Sequence, residues 1–202
     1  MNGFPRLYAI ADASFGNPER LVQELFNGGA RLVQVRNKKA SARDLLHDVD
    51  RILASAPEDA QVIVNDRVDV ALISAAAGVH VGQTDIPPAA ARKILGPNRI
   101  VGFSTHNFEQ AVEADRWPVD YVAVGPIFAT TTKENPDPIV GVEGLAAICR
   151  AIHKPVVAIG GIKLENAPDV LRAGAASVAI IRDLLDTSDV ALRCRQWVAL
   201  TK

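Results

Sequence analysis

The sequence predicts an α/β protein, a (β/α)8 TIM barrel formed as a single domain over residues 1–202. Eight short apolar runs rich in Val, Ile and Ala recur along the chain. They do not alternate cleanly, as expected of strands buried on both faces. A helical stretch follows each run, and strands alternating with helices imply parallel βαβ units. Eight such units suggest a closed barrel near the small end of its size range. A doubly wound parallel sheet is the structural alternative.

The first strand is RLYAIAD (6–12), and a helix near 17–28 ends at Gly28-Gly29. RLVQVRN (31–37) is the second strand, and Ser41 is suited to cap the helix after it. QVIVND (61–66) is followed by a short helix over Arg67–Ala75, and GVHVG (78–82) by one near 88–95. RIVGFST (99–105) leads to a helix near 107–115, and YVAVGP (121–126) to one near 142–152. PVVAIGG (155–161) precedes a helix near 164–173, and SVAIIR (177–182) a final helix over 184–199. Ala129–Val140 is the longest non-periodic stretch, a length that points to a functional loop or lid.

Composition narrows the class. With 49% hydrophobic residues and a net charge of −1, the chain is neither disordered nor basic enough for a typical nucleic-acid binder. Its two cysteines, Cys149 and Cys194, give neither a disulfide framework nor zinc-site spacing. The start, MNGFPRLYAIAD, has no basic segment leading into a long apolar core, and no run reaches a membrane span. The expectation is a soluble cytoplasmic protein acting on small molecules, with no nucleic acid or membrane partner. Self-association into a homo-oligomer is left open.

In a parallel barrel the active site forms at the C-terminal ends of the strands. Those ends carry Gln34, Arg36, Asn37 and Lys38, then Asn65 and Asp66, then Gln83 and Asp85, then Ser104, Thr105 and His106. Thr130, Thr131, Thr132 and Lys133 follow the sixth strand, Gly160-Gly161 end the seventh, and Arg182 ends the eighth. Asp66 and Asp85, on adjacent strands, would bring two carboxylates to one mouth, an arrangement relieved by a cation such as Mg2+. Each could instead serve helix entry. Arg36, Lys38 and Lys133 beside that pair would make a diphosphate receptor; the alternative is solvated surface charge. The IGG turn could bring backbone N–H groups to a phosphate. His80 reads as a packed or rim histidine rather than a base; His106, next to Ser104, is better placed for that role, but S-T-H at a strand end could merely start the helix at Asn107. No Ser/His/Asp triad, P-loop or dinucleotide fingerprint is present.

The order LYAIAD, QVRNK, VIVNDRVDVAL, AAGVHVGQTDIP, VGFSTHN, DYVAVGPIFATTTK, PVVAIGGI, AIIRDL resembles the thiamine-phosphate synthase (thiamine-phosphate pyrophosphorylase) family across almost the whole chain. The resemblance implies a transferase. It would join 4-amino-5-hydroxymethyl-2-methylpyrimidine diphosphate to a thiazole phosphate, giving thiamine monophosphate and diphosphate with one Mg2+ per subunit. It implies that Gln34, Val35, Arg36, Asn37, Lys38, Asn65, Ser104 and Lys133 hold the pyrimidine diphosphate. Arg36, Lys38, Ser104 and Lys133 are then the catalytic set. Asp66 and Asp85 would bind the metal. Thr130, Thr131, Thr132, Gly161, Ile181 and Arg182 would hold the thiazole phosphate. Asn37 stands where the family often has Glu, and Arg182 where it usually has Ser.

Two other readings compete. A thiazole tautomerase would share the barrel but often lacks the threonine–lysine motif, which is intact here. A non-catalytic barrel binding a phosphorylated ligand would have little use for the Asp66/Asp85 pair.

Overall fold

The computed structural model describes residues 4–130 and 137–201. Eight strands form a closed barrel in sequence order: β1 (Leu7–Asp12), β2 (Leu32–Arg36), β3 (Gln61–Asn65), β4 (Gly78–Val81), β5 (Ile100–Thr105), β6 (Tyr121–Val124), β7 (Val156–Ile159) and β8 (Ser177–Ile180). Every neighbouring pair is parallel, and β8 returns to β1 through Leu7↔Val178, Tyr8↔Ala179 and Ala9↔Ile180. That last pairing excludes the doubly wound sheet, whose edges stay open.

Helices α1 (Pro18–Asn27), α2 (Ala42–Ser55), α3 (Val68–Ile73), α4 (Pro88–Leu95), α5 (Phe108–Ala114), α6 (Gly141–Ala151) and α7 (Ala167–Arg172) each follow a strand. Local chemistry sets their ends. Ser41 accepts the Asp44 N–H at 3.2 Å, and Asn17 accepts the Arg20 N–H at 3.0 Å with Pro18 in the first turn. Gly29 turns the chain after α1 at φ 96°. Leu21, Val22, Leu25 and Phe26 form the buried stripe of α1.

Strand alternation divides the core into two layers. Tyr8, Ile10, Leu32, Ile63, Tyr121, Ala123, Val157 and Ala179 fill the barrel. Val33, Val35, Val62, Val64 and Val79 join the larger cluster with helix residues such as Leu25, Leu45 and Leu145. Both faces are therefore apolar, which is why the runs in the sequence do not alternate.

The end of the chain differs from the sequence expectation. The single helix expected over 184–199 is two, α8 (Arg182–Leu185) and α9 (Val190–Leu200). Asp186, at ψ 60°, leaves helical geometry, and Asp189 restarts it by accepting the Leu192 N–H at 2.8 Å. The polar run Asp186–Asp189 offers the backbone capping partners in place of helix continuation. Strand β8 also stops at Ile180, two residues earlier than expected, because Arg182 already begins α8.

Candidate active site

All eight strands contribute to a cavity of ≈ 1040 Å³ at their C-terminal ends. Alternate residues reach it. On β2 these are Gln34 and Arg36, with Lys38 just beyond, while Val35 points outward and is fully buried in the layer beneath the helices. Asn37 does not line the cavity; its side chain accepts the Lys39 N–H at 3.3 Å.

The two cations of β2 are oriented by carboxylates. Arg36 forms a hydrogen-bonded ion pair with Asp12 at the end of β1. Asp12 is buried and also accepts the Ser14 N–H at 2.9 Å, so it is held from both sides. Lys38 Nζ lies 3.2 Å from Asp66 Oδ2.

Asp66 occupies a strained turn. Its φ is 62°, the Arg67 N–H donates to the Asn65 carbonyl at 2.7 Å, and the Asp66 N–H donates to the His80 carbonyl at 2.8 Å. This conformation aims the carboxylate into the cavity. No side chain caps α3 or α4, so the capping reading of Asp66 does not hold. Asp85 likewise folds back, accepting the Gly82 N–H at 2.8 Å. Burial raises the Asp66 pKa; Lys38 opposes the shift and the neighbouring Asp85 carboxylate adds to it. Among the described residues no three His, Cys, Asp or Glu side chains gather as a metal cage. A carboxylate pair alone suits a hard cation that takes its other ligands from water and substrate oxygens, as Mg2+ does.

Below the mouth runs a chain of buried polar groups. Gln34 Nε2 donates to Tyr8 Oη at 2.8 Å, and Tyr8 Oη lies 3.0 Å from Tyr121 Oη. Tyr121 Oη lies 2.9 Å from His80 Nδ1, and His80 Nε2 lies 2.8 Å from Ser104 Oγ. Gly102 makes room for it: a Cβ there would stand 2.0 Å from Tyr121 Cζ. Sequence reading placed Ser104, Gln34 and the packed character of His80, but missed Tyr8, Tyr121 and Asp12. The only two tyrosines of the chain both lie inside apolar strand runs, a weak signal that period-2 counting could have raised.

The opposite wall is made by the loops after β6 and β7. Ile127 N–H donates to the Ile159 carbonyl at 2.9 Å and Phe128 N–H to the Gly160 carbonyl at 3.0 Å. Gly161, at φ 63°, lets this contact close, since a Cβ there would stand 2.5 Å from the Ala129 carbonyl oxygen. Gly161, Thr130 and Ile181 line the cavity. His106 Nδ1 lies 2.8 Å from the Gly125 carbonyl and 3.4 Å from Asp137, while Asn107 caps α5 as expected. Arg182 also lines the cavity, with its guanidinium 5.4 Å from the Phe15 ring centre and 3.1 Å from Asp186. Thr131, Thr132 and Lys133 lie outside the described residues.

A closed parallel barrel whose C-terminal mouth gathers cations, paired carboxylates and open glycine turns belongs to the class of (β/α)8 barrel enzymes. Comparison with known proteins narrows the class. The family model described as thiamine monophosphate synthase matches residues 7–184. A thiamine-phosphate synthase of Koribacter versatilis is 48% identical over 188 residues, covering 90% of this chain and 89% of that relative. One from Chloroflexus aurantiacus is 45% identical over 199 residues, covering 96% and 92%. The solved structure of thiamine phosphate pyrophosphorylase from Pyrococcus furiosus superposes with a TM-score of 0.90 at 35% identity, covering 98% of this chain and 95% of that one. The chain belongs to the thiamine monophosphate synthase family.

Proposed function

We propose that residues 1–202 form one catalytic domain that makes thiamine monophosphate from hydroxymethylpyrimidine diphosphate and thiazole phosphate, releasing diphosphate. The observation that carries this reading is the meeting of Asp66 and Asp85 with Lys38 and the Asp12-bound Arg36 at one mouth. The named relatives are synthases rather than tautomerases, which favours the synthase over the tautomerase and over a non-catalytic barrel.

In this reading Gln34, Asn65 and Ser104 orient the pyrimidine diphosphate. Arg36 and Lys38, with Lys133 as a further cation, hold the diphosphate as charge builds on it. Asp66 and Asp85 would hold Mg2+, which supplies additional neutralisation of the departing diphosphate. The aminopyrimidine ring can share the positive charge left on its methylene, so no protein nucleophile is required. Arg36 is held by the buried Asp12 before reaction, so little reorganisation of its guanidinium accompanies charge development. Thr130, Thr131, Thr132, Gly161, Ile181 and Arg182 hold the thiazole phosphate. They thereby keep the thiazole nitrogen close to the methylene carbon, which is the orientation contribution. Val35 and Asn37, which do not line the cavity, are given no part in holding the substrates. No helix among the described residues is long and apolar enough to cross a membrane.

The test is formation of thiamine monophosphate by the purified protein from both substrates with Mg2+, lost on chelation and restored by Mg2+. Binding of both substrates without product would refute the reading.

A further inference from the structure

We infer that Gln34, Tyr8 and Tyr121 form a one-directional hydrogen-bond chain that fixes His80 as its Nε2–H tautomer and makes Ser104 a hydrogen-bond donor toward the cavity. Direction follows from counting protons. The Gln34 amide nitrogen, 2.8 Å from Tyr8 Oη, can only donate. Tyr8 accepts from Gln34, and its own buried proton would go without an acceptor unless it is donated to Tyr121 at 3.0 Å, so that is its direction. Tyr121 in turn donates to His80 Nδ1 at 2.9 Å. A neutral imidazole that accepts at Nδ1 carries its proton on Nε2. That proton goes to Ser104 Oγ at 2.8 Å. Ser104 has no other hydrogen-bond partner for its hydroxyl among the described residues, and it lines the cavity, so its own proton remains for a ligand.

Two further observations agree. Both tyrosines are fully buried and burial pushes their pKa values up, so each keeps the one proton the chain needs. The His80 ring lies nearly parallel to Tyr121, at 16° with centroids 5.6 Å apart, which limits its rotation away from both partners. Run in the opposite sense, the chain would make Ser104 donate to His80 and show an anion only lone pairs. The consequence for ligand binding rests on the diphosphate site proposed above; the tautomer does not. Tyr121 does not line the cavity and is a positioning residue.

The experiment is nitrogen-15 NMR of the full chain labelled at histidine, without ligand at neutral pH, with the His80 signals assigned by their loss in His80→Asn. The expected spectrum shows His80 as the Nε2–H tautomer alone. An Nδ1–H tautomer or an imidazolium would overturn the inference. In Tyr121→Phe, which keeps the ring stack, both tautomers should appear, and Gln34→Leu gives the same expectation should the first variant fail to fold. Unmixed Nε2–H in a folded variant would show that the chain does not set the tautomer. Inorganic diphosphate with Mg2+ should bind Tyr121→Phe about five- to tenfold more weakly than wild type, the effect of one misdirected hydrogen bond. Equal affinity would overturn the donor role of Ser104. A wild type that binds no diphosphate would refute the proposed function and leave the tautomer result standing.

Discussion

At Asp66 the backbone leaves its ordinary conformation to aim one carboxylate. The φ of 62° is tolerable for Asp or Asn and costly for most other residues, so Asp66→Asn preserves the turn while removing the charge. Turnover should fall by at least about 100-fold, the scale of losing a key electrostatic contact to the reacting group. Assay of product formation at saturating Mg2+ checks this; unchanged turnover would sink the role given to Asp66. The raised pKa of Asp66 adds a pH signature. The folded protein holds that proton more tightly than the unfolded chain, so wild-type stability falls as pH rises from about 4, the ordinary carboxylate value, through the raised folded value. Asp66→Asn lacks this fall, and its thermal midpoint should gain on wild type across that window. A constant difference between the two would show that burial and Asp85 do not perturb this group. At this scale the sequence was readable where polar residues end apolar runs, as at Arg36, Lys38, Asp66 and Asp85. It was not readable at Asp12, whose partner Arg36 lies 24 residues away and is adjacent only once β1 and β2 pair.

Strands position these groups, and Gly102 shows how closely the strands depend on one another. His80, Gly102 and Tyr121 occupy one row across β4, β5 and β6. The middle position has no side chain, and the Tyr121 ring lies over it. Gly102→Ala would put a Cβ 2.0 Å from Tyr121 Cζ and 2.2 Å from its hydroxyl oxygen. The ring cannot yield easily, since Phe4 packs at 5.2 Å and Tyr8 at 5.8 Å between ring centres. The expected cost is about 2 kcal/mol or more, typical of overpacking, read as a lower urea midpoint at unchanged slope. A midpoint within error of wild type would mean that the ring relaxes freely. The reason for the glycine in RIVGFST was not legible in the sequence. Periodicity tells which residues share a face and nothing about which ring fills the space above a neighbour. The split of the last helix was hidden in a different way. Asp186, Thr187, Ser188 and Asp189 suit a helix start as well as an exposed helix face, and only their packing decides.

Closure of the whole barrel depends on the segment that split. Helix α9 packs beside α1, the helix after β1, and beside α8, the helix after β8. Trp197 and Cys194 are fully buried there, and Gly28 of the chain after α1 lies so close that a Cβ would be 2.4 Å from Cys194 Cβ. One carboxylate joins α8 to α9: Asp183 accepts from Arg193 Nη2 at 2.8 Å and 3.0 Å and from Trp197 Nε1 at 2.8 Å. Asp183 lies next to Arg182 at the cavity rim, so this anchor also fixes one wall of the site. Deleting residues 190–202 would expose the apolar face of α1 and leave Asp183 without these partners. Loss of a buried tryptophan costs about 3–5 kcal/mol, and the apolar surface of α1 left in water adds to that loss. Together they approach the whole stability of a typical domain, about 5–15 kcal/mol. The truncated chain should therefore lose its cooperative thermal transition by circular dichroism, even though all eight strands remain in its sequence. A transition within a few degrees of the full chain would show that β8 pairs with β1 without the cover of α9. The seam would then be held by strand pairing, and the site wall at Arg182 would owe its position to β8 alone.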